Sequence, residues 1–410
     1  MDWYYYIVLV AIIFQLLFLL QAYNNHRYAL KKYRKKRWYR PHTVLIVPCK
    51  GLDSAFQENI SSFFHQDYEN YSLWFVVAEE SDPAYGKLSK LKKKLSKKTK
   101  AKEVKILVAG HGQSCSQKNH NLLYCYERIG DDIDVLAFAD SDICVHKNWL
   151  SHLVYPLRKS KYGAASGYRW FVPEKNNIAS LALSALNAKV AQLLGNTIFN
   201  QAWGGSMAIR TDVFRRIGLD KIWPKVLSDD LSLSRAVKKA GMHVAYVPAC
   251  LVASYESTTW RKLFEFARRQ FLITRVAATR TWLFGLFSSL FSVLGLWAGI
   301  VIAWFVIRGS WFDQQFTLQE KIILLALPAV FICSQFIRAI LRQTMIRKLL
   351  EKDRRKMRAA CLADVLFSWV WSVLLLFFIL SSAFGNTVCW RGIPYKLLGP
   401  YETVVLDNKA

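Results

Sequence analysis

The sequence predicts an α/β domain with a mostly parallel sheet, placed between hydrophobic segments at the two ends of the chain. From residue 41 to about residue 250, short β-branched runs alternate with polar or helical stretches, a pattern typical of strands joined by helices. Near both termini the sequence contains long, almost uncharged stretches, which are typical of transmembrane helices.

The composition excludes several classes of protein. Hydrophobic residues make up 53% of the 410-residue chain, which argues against global disorder and leaves ample material for a core. Its eight cysteines form no C-x-x-C pair, so neither a zinc site nor a disulfide lattice is predicted. Lys and Arg exceed Asp and Glu by 56 to 29, and this surplus suits an anionic partner such as lipid headgroups, nucleic acid or a phosphorylated substrate.

An N-terminal anchor is expected within residues 1–40. The stretch from Trp3 to Ala22 carries no charge and is long enough to cross about 30 Å of hydrocarbon as a helix. A cleaved signal peptide is the alternative, but no small-x-small cleavage site precedes the next segment. That segment, His26 to Arg40, is strongly basic, so the positive-inside rule places it on the cytoplasmic side.

A C-terminal transmembrane region with about three spans is expected in residues 282–410. The candidate spans are Trp282 to Ile307, Ile322 to Ile340 and Leu362 to Phe384. The basic loop from Arg342 to Arg358 is expected inside. Counting spans then places the tail from Gly385 outside, unless the third segment is re-entrant. Pro328 weakens the second span because proline removes a helical hydrogen bond.

Between these ends we expect a cytoplasmic α/β domain in residues 41–260, followed by an amphipathic interfacial helix in residues 261–281. Five strands are predicted, at Val44–Val47, Leu73–Ala78, Val104–Val108, Val135–Ala139 and Val244–Val247. The Lys-rich run from Lys87 to Lys98 has leucines at positions 88, 91 and 95, which predicts a surface helix docked on the sheet. Nucleic-acid binding is not expected, because no reading module is recognisable.

Polar and glycine-containing loops follow the first four predicted strands. They contain Lys50-Gly51-Leu52-Asp53, Glu79 through Pro83, Gly110-His111-Gly112 with Lys118 shortly beyond, and Asp140-Ser141-Asp142. Because ligands of parallel α/β sheets collect at the carboxyl ends of the strands, this edge is the predicted binding site.

Two acidic pairs are the sharpest candidates for chemistry. Asp140 and Asp142 follow an apolar strand at i and i+2, where they can hold Mg²⁺ or Mn²⁺ completed by phosphate oxygens, or simply form an Asx turn. Asp229 and Asp230 open a predicted helix that ends near Gly241. Helix capping explains that position, and one of these carboxylates could also accept a proton from an incoming hydroxyl.

Taken together, these motifs resemble membrane-bound glycosyltransferases of the GT-A fold, family 2 type, and most closely ceramide glucosyltransferases and their bacterial hopanoid-associated relatives. The likeness spans most of the chain. It rests on Lys50 to Asp53, Glu79 to Ala84, Gln117 to Leu122, Asp140 to Asp142, Gly204 to Met207 and Asp229-Asp230, in the family's order. The resemblance implies a Rossmann-like GT-A domain between transmembrane helices.

The resemblance also implies a role for each matching residue. Glu79 would contact the uracil or ribose of a UDP-sugar, Lys50 and Lys118 would lie near the nucleotide, and Gly204 and Gly205 would line the sugar and acceptor site. Asp140 would hold the diphosphate, Asp142 with Asp140 the metal ion, and Asp230 beside Asp229 would be the catalytic base.

One departure from the family pattern concerns the helix after the base. Where the family commonly carries Gln/Arg-x-x-Arg-Trp, this chain has Glu265 at the first position, Arg268 at the arginine and Arg269 at the tryptophan. Arg268 and Arg269 could neutralise the departing diphosphate through charge-assisted hydrogen bonds. Contact with anionic lipid at the membrane surface is the alternative role of either arginine.

The sequence therefore predicts an inverting glycosyltransferase that moves a hexose, glucose being the first choice, from a UDP-sugar to a hydroxyl of a membrane lipid such as ceramide. It would be a multi-pass protein of a bacterial inner membrane or a Golgi-type membrane, dependent on Mg²⁺ or Mn²⁺. The alternatives are a processive polysaccharide synthase of the same fold and a non-enzymatic membrane protein. Three C-terminal spans look few for the channel that a processive synthase needs.

Overall fold

The computed structural model describes residues 3–33, 38–53, 55–112, 115–308, 317–390 and 392–406. The chain begins with the long helix α1 (Trp3–Lys32), which covers the predicted N-terminal span and continues into the basic segment after it. Residues 34–37 of that basic segment lie outside the described residues.

A seven-stranded sheet forms the centre of the α/β domain. Its strands are β1 (Thr43–Pro48), β2 (Tyr71–Val77), β3 (Glu103–Val108), β4 (Val135–Ala139), β5 (Tyr162–Pro173), β6 (Ser206–Arg210) and β7 (His243–Glu256), in the spatial order β3-β2-β1-β4-β6-β5-β7. Strands β3, β2, β1 and β4 are parallel, β6 runs antiparallel to β4 and β5, and β5 is parallel to β7. The predicted α/β class with a largely parallel sheet is confirmed.

All five predicted strands are present, but β5 and β6 were not predicted and β7 is much longer than expected. Both missed strands are rich in small residues, which give a weak strand signal. Gly167 in β5 shows why: a Cβ atom there would lie 2.1 Å from the carbonyl oxygen of Cys250 on β7. Close packing of two backbones therefore explains a residue that propensity alone disfavours.

Helices cover both faces of the sheet. They are α2 (Phe56–Phe64), α3 (Pro83–Leu95), α4 (Gln117–Tyr126), α5 (Trp149–Val154), α6 (Ile178–Ala191), α7 (Thr211–Arg216), α8 (Leu219–Ile222) and α9 (Asp229–Lys239). In β1, Leu45 and Val47 face one core while Val44 and Ile46 face the other. Burial on both faces explains why the parallel strands are continuously apolar.

The Lys-rich run is confirmed as a helix docked on the sheet. It forms α3, whose residues Leu88, Leu91 and Leu95 are buried in the core beneath the sheet while the lysines lie on the other faces. Asp82 caps this helix by accepting a hydrogen bond from the backbone N–H of Ala84.

The second half of the chain is dominated by apolar helices. These are α10 (Trp260–Ala277), α11 (Thr279–Arg308), α12 (Leu318–Leu349), α13 (Arg358–Leu366) and α14 (Ser368–Ser381). Among the described residues, α1, α11 and α12 are long and apolar enough to cross a membrane, and α12 continues through Pro328. Helices α13 and α14 replace the third predicted C-terminal span and are bent by 84° at Phe367.

The tail forms a small antiparallel sheet that lies against the α/β domain. Its strands are β8 (Thr387–Trp390), β9 (Ile393–Gly399) and β10 (Glu402–Val405). Val388 and Leu397 of this sheet pack with Leu272 of α10 and with Leu227, just before α9. Counting spans placed the tail outside, and this packing corrects that expectation in favour of the re-entrant alternative: the sharp bend returns the chain to the domain.

Candidate active site

Lys118 at the start of α4 connects the two acidic pairs. Its Nζ atom lies 2.7 Å from Asp140 Oδ1, at the end of β4, and 3.0 Å from Asp229 Oδ2, in the first turn of α9. The three side chains are mostly buried, since Asp229 is 4% exposed and Lys118 is 16% exposed. The structure therefore brings together residues that lie more than 100 positions apart in the chain.

The charges in this cluster determine one another's protonation. Burial by itself lowers the pKa of Lys118, but Asp140, Asp229 and Asp230 together raise it above its ordinary value, so Lys118 stays a cation. Burial raises the pKa of Asp229, Asp230 and Asp140 raise it further, and Lys118 opposes them. One cation thus balances a group of carboxylates that carries more negative charge than it can neutralise.

Asp230 is the more accessible member of the second pair and is firmly oriented. Its Oδ2 atom accepts a hydrogen bond of 2.9 Å from the backbone N–H of Gly204, and Oδ1 accepts from Ser228 Oγ and from the N–H of Leu231. Ser228 is also the N-cap of α9. Because a carboxylate has lone pairs beyond these three bonds, Asp230 can still accept a further proton or hydrogen bond.

Gly204 and Gly205 are required by contacts within the protein. A Cβ atom on Gly204 would lie 2.5 Å from Asp229 Oδ2 and 2.7 Å from Lys118 Nζ, and one on Gly205 would lie 2.2 Å from the ring of Trp203. The sequence analysis attributed these glycines to close approach of a ligand. The structure gives them an additional role, since the backbone must pass directly beside the ion pairs.

The polar run from Gln117 to Asn121 holds two loops beside this cluster. Gln117 bonds the backbone of Gly110 and Gly112, His120 Nε2 lies 2.9 Å from the carbonyl of Ala109, and Asn119 donates to the carbonyl of Val226. The sequence analysis quoted this run as a motif but assigned a role only to Lys118. Five consecutive polar residues opening a half-buried helix were the available signal.

The loops after β1 and β2 are joined at the same sheet edge. Asp82 accepts a hydrogen bond of 2.9 Å from the N–H of Gly51, which has a left-handed backbone (φ 66°) that favours glycine. The predicted nucleotide contacts Lys50 and Glu79 are exposed in these loops, and Glu79 lies 3.7 Å from His111. The sequence analysis gave Asp82 no role, because the position of a residue before a helix does not reveal a second hydrogen bond to a distant loop.

The loop that carries Gly204 also reaches the first membrane helix of the C-terminal region. Gln201 Nε2 donates a 2.8 Å hydrogen bond to Thr281 Oγ1, in the first turn of α11. Gln201 lies three positions before Gly204, so at most about 11 Å of backbone separates the residue that bonds α11 from the glycine beside the acidic cluster. Ile198 and Phe199, on the same loop, are 56% and 75% exposed.

A family model, described as glycosyl transferase family 21, matches residues 3–400. The chain belongs to glycosyl transferase family 21. Membership of this family supports a glycosyl transfer function for the chain, in place of the non-enzymatic alternative. The matched range includes the apolar helices at both ends, so membrane segments and α/β domain belong to one family architecture.

Solved structures that resemble this family 21 chain share little sequence with it. The mannosyltransferase PcManGT from Pyrobaculum calidifontis, in complex with GDP-Man and Mn²⁺, is 14% identical with a TM-score of 0.46, covering 92% of this chain and 96% of that one. GalNAc-T7 with UDP, GalNAc and Mn²⁺ is 12% identical with a TM-score of 0.37, covering 57% and 51%. A mycobacterial protein is 14% identical with a TM-score of 0.37, covering 60% and 80%.

The donor set fits a divalent cation that is shared with phosphate oxygens. Asp140 is half-buried and ion-paired, and Asp142 is exposed two residues further on. Within the described ranges no group of three or more His, Cys, Asp or Glu side chains could hold a metal by itself. One or two carboxylates with substrate phosphates are the usual coordination of Mg²⁺, so the two residues fit the predicted role.

Arg268 and Arg269 of the family 21 chain lie on α10, as predicted, but both contact backbone of the C-terminal segment. Arg268 donates to the carbonyl oxygens of Ser381 and Phe384, and Arg269 lies 3.5 Å from that of Cys389. Arg275, about two turns further along α10, donates to the carbonyl oxygens of Ala383 and Gly385. Arg268 and Arg275 thus satisfy carbonyls at and just after the end of α14, and sequence reasoning did not include that role.

Proposed function

We propose that this chain transfers a hexose, with glucose as the first choice, from a UDP-sugar to a hydroxyl of a membrane lipid such as ceramide. The observation that carries the proposal is the Lys118 cluster, which joins Asp140 and Asp229 within 3.0 Å and stands beside Asp230. The resemblance of the motifs to ceramide glucosyltransferases supports the choice of donor and acceptor.

Asp230 is the proposed base. The acceptor hydroxyl gives its proton to the Asp230 carboxylate, its oxygen forms a bond to C1 of the sugar, and the bond from C1 to the diphosphate oxygen breaks. Attack from the face opposite the leaving group inverts the anomeric centre, so an α-linked donor gives a β-linked product. Hydrogen bonds from Gly204 and Leu231 fix the carboxylate in place for this transfer.

The remaining residues of the cluster are proposed to receive the donor. Asp142 and Asp140 would hold Mg²⁺ or Mn²⁺, which when bound offsets the negative charge on the leaving diphosphate. Lys118 keeps Asp140 and Asp229 in position and stays a cation next to the diphosphate site. Lys50 and Glu79, exposed in the joined loops, are the proposed contacts of the nucleotide.

A lipid acceptor is supported by how near the site lies to membrane helices. The loop with exposed Ile198 and Phe199 is tied by Gln201 to the first turn of α11. An apolar loop at this place suits a lipid that rises from the bilayer toward Asp230. The basic segments after α1 and α12 support a cytoplasmic α/β domain, so the acceptor would come from the inner leaflet.

The test is transfer by the full-length protein in membranes. We expect membranes given labelled UDP-glucose and ceramide to yield an organic-extractable product with one hexose, identified by mass spectrometry as β-linked. UDP-galactose and UDP-N-acetylglucosamine in parallel reactions test the donor. A long water-soluble polymer would establish the processive alternative instead, and transfer to no lipid in any reaction would contradict the proposal.

A further inference from the structure

A second polar site lies among the apolar helices, away from the lysine-bridged cluster. It is a cavity of about 80 Å³ enclosed by α1, α6, α11, α12 and α14. Its lining includes Phe18, whose ring centroid lies 6.5 Å from that of Phe284 and 6.0 Å from that of Phe291. The lining also includes the basic residues Lys189, Arg338 and Arg342.

These cations outnumber their anionic partners. Arg342 is 2% exposed and forms a two-pronged ion pair with Asp364, at 2.6 Å from its Nε atom. Among the described residues, no carboxylate lies within 4.0 Å of Lys189 or Arg338. Lys189 donates instead to the hydroxyls of Ser368 and Ser372. Three cations thus face one carboxylate in surroundings where unpaired charge is costly.

Buried hydrogen-bond donors without an acceptor are a second, independent indication of a ligand. The Nε2 atoms of Gln15 and Gln335 and the Nε atom of Arg338 are buried without a hydrogen-bond acceptor. Gln15 is 1% exposed and Gln335 is 4% exposed, and both line the cavity. Since buried donors are nearly always paired in folded proteins, three unpaired donors around one cavity indicate an absent group that is rich in acceptors.

The cations of the cavity lie toward the basic end of α12. Arg338 is ten residues, or about 15 Å, beyond Pro328, in the direction of Arg347 and Lys348 in the last turn of that helix. Gln15 lies in the second half of the apolar stretch of α1. Aromatic rings and cations that line one cavity match the two parts of a phospholipid.

We propose that this cavity binds the phosphate group of an anionic phospholipid, with its acyl chains along Phe18, Phe284 and Phe291. Arginine and lysine beside a phosphate form charge-assisted hydrogen bonds, and the phosphate oxygens supply the acceptors that Arg338, Gln15 and Gln335 lack.

Native mass spectrometry of the full-length protein in detergent tests this site. Dioleoylphosphatidylglycerol, dioleoylphosphatidylcholine and inorganic phosphate serve as probes. We expect one phosphatidylglycerol to bind with at least about tenfold preference over phosphatidylcholine, since tenfold corresponds to a single good ionic contact. Millimolar inorganic phosphate should not displace it. Equal binding of the two lipids, or displacement by inorganic phosphate, would overturn the proposal.

Variants of the basic residues test whether the lipid binds in this cavity. Lys189→Met with Arg338→Gln should abolish the preference, whereas Arg338→Lys, which keeps the charge, should retain most of it. Lys348→Gln removes one exposed charge from the same helix and should leave the preference unchanged. If the double variant is unstable, the comparison between Arg338→Lys and Arg338→Gln decides: equal lipid preference in both would contradict a site built on charge.

Discussion

The α/β domain and the membrane helices each contain one group of buried charges, and the two groups have opposite excess charge. Beside the sheet, Lys118 faces Asp140, Asp229 and Asp230. Among the helices, three cations face the single carboxylate of Asp364. In both places a bidentate or bridging ion pair forms, and the other charged groups have no ion-pair partner among the residues that the structure describes.

The sign of the excess charge indicates which class of ligand each region would bind. An acidic excess next to a nucleotide-sugar site fits a divalent cation and the groups that bind with it. A basic excess between apolar helices fits a lipid phosphate. Both groups are expensive to bury, and in each case the proposed ligand would reduce the excess charge. Variants that change the charge of one group should therefore leave the other region's behaviour intact.

The largest expected effect is on the transfer reaction itself. Asp230→Asn removes the proposed base and should lower kcat about 10³-fold, because general base catalysis contributes about 10² to 10⁴. The measurement is formation of labelled lipid product. Asp131→Asn, which changes a fully exposed acid, is the control and should keep full activity. A well-folded Asp230→Asn protein with normal turnover would remove Asp230 from the mechanism.

Stability should respond most to Lys118. Lys118→Met leaves Asp140 and Asp229 buried without their cation and should cost about 3 to 5 kcal/mol, as expected when one partner of a buried ion pair is removed. Thermal unfolding of the full-length protein in detergent measures the loss. Lys105→Met breaks an exposed ion pair with Glu103 and should cost less than about 1 kcal/mol. Similar losses in both variants would show that the bridge is not important for folding.

Substitution of Asp142 should change the metal dependence of transfer more than the stability of the fold, because the Asp142 side chain is exposed. Asp142→Ala is expected to raise the Mn²⁺ concentration for half-maximal transfer at least about tenfold, the effect of losing one ionic ligand contact. Its melting temperature should stay within about 1 °C of the parent. Unchanged metal dependence in the variant would assign the cation to other groups.

The smallest expected effect is a pH dependence of stability from Asp229. Its pKa is raised in the folded protein by burial and by Asp230 and Asp140. The stabilisation from protonated Asp229 is therefore complete below the ordinary Asp pKa near 4 and is lost as pH rises through the raised folded value. The parent should lose more stability than Asp229→Asn as pH rises from the ordinary Asp value to about 6, measured by thermal unfolding. Parallel curves would contradict the assigned shift.

Much of the fold followed from local patterns. Strands β1 to β4 were predicted because each is a continuous β-branched run, and α3 was predicted from leucines at helical spacing. The small-residue strands β5 and β6 were missed because contact between neighbouring backbones, as at Gly167, leaves no hydrophobic pattern to detect.

The site was predicted in part. The acidic pairs and Lys118 were identified by their order along the chain, while the bonds that join them were not. Asp82 and Asn119 were missed because each bonds a backbone group more than 30 positions away, and such partners are set only when the loops come together. Arg268 was correctly placed on a helix after the acidic pair, but its carbonyl partners depend on the bend between α13 and α14.

The sequence by itself determined the class of domain, the apolar helices and the residues able to carry out the chemistry, because periodicity and local composition encode these directly. Only the tertiary structure decided that the tail returns to the α/β domain and that residues from Gln15 to Leu375 enclose one cationic cavity. The physical reason is that a buried charge is neutralised by residues that are distant in the chain. The local sequence around a charged residue does not encode which distant residues it will contact.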